Sequence, residues 1–381
     1  MKEKTSILIN KASISEVIKF LRFPLAVMVV FIHANNKDVV LQGVVYDLKS
    51  GLCPIYESLT YIISETISRC AVPCFFLISG FLFFRGVDFF SADVFKQKLK
   101  RRVKSLLIPY LIWNAITLLL FYLSQQLLPG LNSGATKAIA DYSFIDWIRS
   151  FWDLSNGFPI CSQFWFIRDL MVMVIFTPLI YFLCKKTGWF YLATIGVLWL
   201  LSAFKDIPGL SLTGLFFFSS GALLSIKKVD VLEVCTRIMI PSLIIFSVIT
   251  CIEVVYRSSL GGGGNSSNQL IQYIVYKPLY HINQLFIVSL FFSISAVLID
   301  NGKAKCNQFL LDSNFFIFAY HVLPLALIFK ILTIILKPQS DLPAIIMYFT
   351  GPVIVILVGL MLFAFLKKFF PRLTDVISGK A

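Results

Sequence analysis

Apolar runs of about twenty residues, the length at which an α-helix crosses the ~30 Å hydrocarbon core of a bilayer, recur along most of this chain. That feature restricts the fold more than any motif. A segment surrounded by lipid must satisfy its backbone N–H and C=O groups internally, which only helices and closed barrels do. A barrel would alternate apolar and polar residues in short segments, and no such alternation is present. The chain therefore reads as an all-α integral membrane protein, a polytopic bundle of about ten transmembrane helices. The spans are expected at 15–35, 59–84, 105–128, 163–184, 188–204, 209–226, 238–256, 281–299, 313–336 and 343–366. Composition agrees, because 58% of residues are hydrophobic and 14% charged, whereas a soluble domain needs roughly a quarter of its residues charged.

The first span carries its own start signal. Ser13-Ile-Ser-Glu16 reads as a capping box, and the apolar run that follows continues to His33 without an A-x-A-like cleavage site, so no cleavable signal peptide is expected. The net charge of +14 raises the question of nucleic acid, and the placement of the charges answers it. With the N-terminus cytoplasmic, 23 of the 34 Lys and Arg residues fall on inside segments, seven of them in 85–104, and eight fall on outside loops. That is the positive-inside bias of a multi-pass membrane protein, not a nucleic-acid footprint. Both termini are then cytoplasmic.

Residues 1–381 are expected to form a single transmembrane domain. Loops at 36–58, 129–162 and 257–280 lie outside, the second with a Trp147, Trp152 and Asp153 group at the membrane surface and the third with a Gly261–Gly264 tether. The eight cysteines form no CxxC pair and no zinc spacing, so no metal site is expected. Cys70 and Cys74 read as small packing residues, and Cys53 and Cys161 are positioned for an outside disulfide only as a minor alternative.

Ionisable groups inside a span are costly and invite a functional reading. Glu253 and Lys330 lie near outer ends, where snorkelling explains them, and the adjacent Arg168 and Asp169 are placed to pair. Arg22, His33 and Arg69 are different. Arg22 and His33 are eleven residues apart, close to three turns and ~16 Å of rise, so they share one helix face. Arg69 lies near the middle of the second span. The three can line a polar shaft in which His33 serves as general base or acyl carrier, while the arginines hold a phosphate or an oxyanion. The basic segment Lys96–Lys104, with Arg101, Arg102 and Lys104, reads either as topology plus contact with anionic lipid or as a dock for a nucleotide-bearing donor such as acyl-CoA.

At these residues the sequence resembles the acyltransferase-3 family of membrane O-acyltransferases. The resemblance is carried in order by Arg22 and His33 within FLRFPLAVMVVFIHA, by RCAVPCFFLISG at 69–80, KRRVKSLLIPY at 100–110, FWFIRDL at 164–170 and SNFFIFAYH at 313–321. It implies a ten-helix bundle in the plasma (inner) membrane that moves an acyl group, usually acetyl, from cytoplasmic acyl-CoA (acetyl-CoA) to a sugar hydroxyl. The acceptor implied is a cell-envelope polysaccharide or a lipid-linked saccharide. By that resemblance His33 is catalytic, with Arg22 and Arg69 positioning or stabilising charge. Arg101, Arg102 and Lys104 contact the donor, and Ser79, Trp165, Arg168 and His321 are substrate contacts. About fifteen residues follow the last span, so no appended hydrolase-like domain is expected. The bundle then transfers the group itself or works with a separate partner. The competing reading is a multi-span transporter or flippase, for which mid-membrane charges are equally natural.

Overall fold

The structure, a computed structural model, describes residues 12–35, 38–41, 44–48, 53–127, 137–259 and 275–380. The Gly261–Gly264 tether lies outside them. Among the described residues each segment expected to span holds helix, although those expected at 188–204 and 209–226 are helical only over Trp189–Leu200 and Leu212–Ile226. Helix α1 (Ile14–His33) opens on the expected capping box, with Ser13 and Glu16 bonding one another's backbone N–H groups. The loop that follows holds an antiparallel hairpin, β1 (Asp38–Leu41) and β2 (Val44–Asp47), paired Val39 to Tyr46. Its runs of β-branched residues favour extended backbone, and a search for twenty-residue apolar runs passes over them.

The remaining helices are α2 (Pro54–Phe84), α3 (Ala92–Leu127), α4 (Phe144–Phe151), α5 (Trp165–Ile175), α6 (Thr177–Lys186), α7 (Trp189–Leu200) and α8 (Leu212–Ile226). After them come α9 (Val231–Arg237), α10 (Met239–Ser259), α11 (Lys277–Asp300), α12 (Gln308–Tyr320), α13 (Val322–Leu336), α14 (Asp341–Phe369) and α15 (Pro371–Ile377). Among the described residues five helices (α2, α3, α10, α11 and α14) are long and apolar enough to cross a membrane. The number becomes seven when the bent pairs α5–α6 and α12–α13 are each taken as one span. Helix α1 has 20 residues but carries Glu16, Lys19 and Arg22, and α7 and α8 have only 12 and 15 residues.

Both bends have a proline cause. The α12–α13 pair turns by 70° at His321, three residues before Pro324, and the α5–α6 pair by 60° at Phe176, two residues before Pro178. Proline offers no N–H to the carbonyl four residues earlier, and its ring presses on that carbonyl.

Helices α2 and α8 approach most closely at two glycines. A methyl group on Gly80 would lie 2.0 Å from the Phe218 carbonyl oxygen, and one on Gly221 would lie 2.0 Å from the Leu77 carbonyl oxygen. Each glycine thus admits the backbone of the other helix, the small-residue contact by which membrane helices pack without help from the hydrophobic effect. Because the obstacle is backbone on both sides, Gly80→Ala and Gly221→Ala should each cost more than the ~1–3 kcal/mol typical of overpacking. Thermal unfolding in detergent checks this, with a clearly lowered midpoint expected for either variant.

The amphipathic helix α4 leaves Phe144, Ile145, Trp147 and Ile148 exposed on one side, the pattern of a helix lying at a membrane surface. All eight cysteines are free. Cys53 and Cys161 are buried and unbridged, while Cys70 and Cys74 pack with no exposure. The C-terminal α15 folds back beneath the bundle, where the Trp113 indole N–H donates to the Ile377 carbonyl at 2.9 Å and Lys380 pairs with Asp312 at 2.5 Å.

Candidate active site

His33 is the last residue of α1, and His321 stands at the break between α12 and α13. Their rings meet edge to face, with centroids 4.9 Å apart and His33 Nδ1 at 3.1 Å from His321 Nε2. Backbone carbonyls decide which nitrogens carry protons, because a carbonyl can only accept. His321 Nδ1 faces the carbonyls of Phe318 (2.8 Å) and Ile317 (3.2 Å), so in the neutral ring it bears the hydrogen and Nε2 is left as an acceptor. His33 Nδ1 then faces two acceptors, His321 Nε2 and the Val29 carbonyl at 2.9 Å, and it too bears the hydrogen. His33 Nε2 keeps its lone pair. A neutral imidazole held in this tautomer can take a proton or attack a carbonyl carbon.

His321 ends α12, the helix that packs along α1, and stands at the corner where the chain bends into α13. The sequence offered His321 only through the YH pair at the end of SNFFIFAYH; nothing in the spacing linked it to His33.

Arg69 lies on α2 just after a π-helical stretch, Tyr61–Ile67, and its Nε donates to Glu65 Oε2 at 2.6 Å. Glu65 also accepts from the side-chain amide of Asn35, two residues beyond His33. A π-helical turn inserts one extra residue and re-aims the side chains around it, and such turns concentrate at functional sites. Here it brings Glu65 and Arg69 beside the end of α1, with the Arg69 charge within electrostatic reach of His33. The polar shaft expected from Arg22, His33 and Arg69 did not include Glu65; the Glu-x-x-x-Arg spacing on one helix was the available signal for it.

Arg22 occupies the same face of α1 as His33, about three turns earlier. It lines a cavity of about 310 Å³ together with Ser79, Arg102, Asp312 and Lys380. Phe318, whose carbonyl accepts from His321, lines the cavity as well, so cavity and histidine pair are separated by one helical turn of α12. Asp312 is held by Lys380. Neither Arg22 nor Arg102 has a carboxylate partner among the described residues, and the two cations repel one another. Such a site gains from an anion, and paired guanidinium groups match phosphate oxygens well. The cavity closes on the C-terminal segment, which sequence reasoning left without a role. Gly379 adopts φ +70°, and a side chain there would lie 2.5 Å from the Ser105 carbonyl oxygen.

The other expected residues are placed apart. Arg101 and Lys104 are exposed and do not line the cavity, while Trp165 is half-buried against the core. Arg168 is 2% exposed and fully engaged, with Nε and Nη2 on Asp169 at 3.1 and 2.8 Å and Nη1 on the Gly157 carbonyl at 2.9 Å. Asp169 in turn accepts from the Gly209 N–H at 2.9 Å, so this buried pair ties two loops to α5. Asp153 is likewise buried in a turn, accepting from Ser155 and Asn156, and Trp152 lies over Arg168. Glu253, expected to snorkel, has no exposure and accepts from Asn283.

No solved structure matches this fold. Over 225 residues, 58% of this chain, the sequence is 26% identical to the succinoglycan biosynthesis protein ExoH of Rhizobium meliloti (strain 1021). The aligned stretch spans 56% of that protein, so the chain covers just over half of its relative's length. A family model described as an acyltransferase domain matches residues 16–367, which takes in both histidines, all the arginines of the cavity and the Glu65–Arg69 pair. By that match the chain belongs to the acyltransferase-3 family of membrane acyltransferases.

Proposed function

We propose that this protein is a membrane O-acyltransferase, with an acetyl group as the favoured cargo. On this reading it moves the acyl group from cytoplasmic acyl-CoA to a sugar hydroxyl of a surface polysaccharide or lipid-linked saccharide. The observation that carries the reading is the alignment of an anion-ready cavity, Arg22 and Arg102, with the free Nε2 of His33 further along the same helix face. A transporter would need the cations but not an imidazole held in one tautomer by a second histidine. The relative's role in succinoglycan biosynthesis supports a saccharide acceptor.

In the reaction, phosphates of the donor sit on Arg22 and Arg102 while the thioester reaches His33. The acceptor hydroxyl gives its proton to His33 Nε2 as its oxygen attacks the thioester carbonyl carbon. Arg69, oriented by Glu65, faces the negative charge that develops on the carbonyl oxygen. The carbon–oxygen bond forms and the carbon–sulfur bond breaks. The proton on Nε2 then passes to the departing thiolate, returning His33 to its starting form. The positive-inside bias supports ten crossings with both termini and the 85–104 segment in the cytoplasm of a plasma-membrane protein, the whole chain acting as one domain.

Steady-state kinetics on membranes containing the protein test the donor side. Losing a charge-assisted bond of ~1.5–3 kcal/mol corresponds to a roughly 10–100-fold rise in KM for acyl-CoA in Arg102→Ala, with a much smaller change for the acceptor. Arg101→Ala and Lys104→Ala, at exposed positions, should change it little. An unaltered donor KM in Arg102→Ala would reject the cavity as the donor site. In oriented vesicles, turnover with acyl-CoA supplied only at the extracytoplasmic face would reject the sidedness.

A further inference from the structure

A second group of polar side chains is buried at the His33 end of the bundle, where α10, α11 and the π-helical part of α2 meet. Glu253 has no exposure, and Thr66, Asn283 and Gln284 are 4%, 2% and 6% exposed. Inside a membrane protein each of these is costly unless its hydrogen-bonding capacity is met. Here part of it is not. The Asn283 Nδ2 group donates to Thr250 Oγ1 at 3.1 Å and to Glu253 Oε2 at 3.5 Å. Turning that amide round would set oxygen against a carboxyl oxygen, so Oδ1 stays on the other side, and it has no donor. Gln284 Nε2 donates to the Tyr280 hydroxyl at 2.9 Å and its Oε1 is also without a donor; reversing the amide would only strand the NH₂ instead. The Thr66 hydroxyl, on the same π-helical stretch as Glu65, is the third unpartnered group.

The cluster is continuous with the reaction centre. Tyr280 lies within electrostatic reach of Glu253, Arg69 and Glu65. The orphan atoms also specify what fits. Asn283 leaves an amide oxygen, which requires a ligand that brings a donor, the Gln284 amide leaves either its oxygen or its NH₂ open, and Glu253 opposes a second anion. The phosphates of a nucleotide donor bring only acceptors and negative charge. A neutral, hydroxyl-rich molecule satisfies both demands, since each sugar hydroxyl can donate to an amide oxygen and accept from a threonine hydroxyl.

We propose that Thr66, Asn283 and Gln284 form the acceptor subsite, binding a neutral sugar ring of the glycan so that one further hydroxyl reaches His33 Nε2. The proposal rests on the acyltransferase reading for its role but makes its own binding claim. Asn283→Leu and Gln284→Leu remove the orphan oxygens at similar volume, and both should fold. Each also removes a donor, Asn283 from Thr250 and Glu253 and Gln284 from Tyr280, so thermal midpoints in detergent should fall modestly while the folded yield is kept.

The test is equilibrium dialysis of radiolabelled, de-O-acylated cell-envelope glycan against the full-length protein in nanodiscs, with no donor present. Wild type is expected to bind, and each leucine variant to bind at least tenfold more weakly. When acetyl-CoA is added, the variants should show a raised acceptor KM with the donor KM unchanged. Wild-type affinity in both variants, or no glycan binding by the wild type, would overturn the subsite. Glycan binding that weakens in the variants while wild type leaves acetyl-CoA intact would keep the subsite and instead reject the acyltransferase reading.

Discussion

His33→Ala is expected to lower acyl transfer by at least the ~10²–10⁴-fold that a positioned general base contributes, while membrane insertion and yield stay near normal. The expectation follows from how little His33 does for packing. It is half-buried at the end of its helix, its ring meets another ring edge to face, and its one committed hydrogen serves to fix the tautomer. Removing it leaves His321 Nε2 without a donor, while the Val29 carbonyl keeps its helical backbone N–H, and no ion pair is broken. Acetyl incorporation into glycan by membranes carrying wild type or variant measures the effect directly. If the alanine variant transfers at the wild-type rate, His33 is a packing residue and the mechanism fails at its first step. His33→Gln is a useful companion, because its amide N–H can still donate to His321 and so preserves the local bonding without supplying a base.

The bundle was legible because lipid imposes one rule everywhere. Twenty apolar residues with internal hydrogen bonding read as helix wherever they fall, and the capping box at Ser13–Glu16 needed no tertiary information. The common face of Arg22 and His33 follows from helical periodicity alone. Partners on other helices follow no such local rule. His321 lies 288 positions from His33 in sequence, and the contact depends on how α12 packs along α1, which no local pattern states. The fold-back of residues 371–380 depends on Trp113 and Asp312, far apart in the chain, and short polar tails read simply as tails. Glu253 was assigned to the membrane surface because its position near a span end permits snorkelling; its burial is set by Asn283 on a neighbouring helix. Within the basic segment, run composition identified a cationic surface, but only the helical phase of α3 separates Arg102, in the cavity, from Arg101 and Lys104 outside it.

His321 is expected to act through His33 and not on substrate, and its variants should separate those roles. In His321→Phe the ring volume is kept, the acceptor facing His33 Nδ1 disappears, and the Phe318 and Ile317 carbonyls lose a donor. The imidazole of His33 is then free to rotate or to shift its proton to Nε2, the nitrogen that must stay open. A sole orienting group in a serine-protease triad contributes ~10⁴-fold to the rate. The Val29 carbonyl still holds His33 Nδ1–H here, so kcat should fall by less, roughly 10–100-fold, with the KM for acyl-CoA and for acceptor both near their wild-type values. His321→Gln presents an amide oxygen toward His33 and should recover part of the lost rate, which a purely space-filling residue would not do. The His33→Ala background supplies the last control: adding His321→Phe to it should cost almost nothing more, because residues that act as one unit are strongly non-additive. A substantial further loss in the double variant, or a KM change in His321→Phe with kcat preserved, would mean that His321 touches substrate itself and that the tautomer relay is not its function.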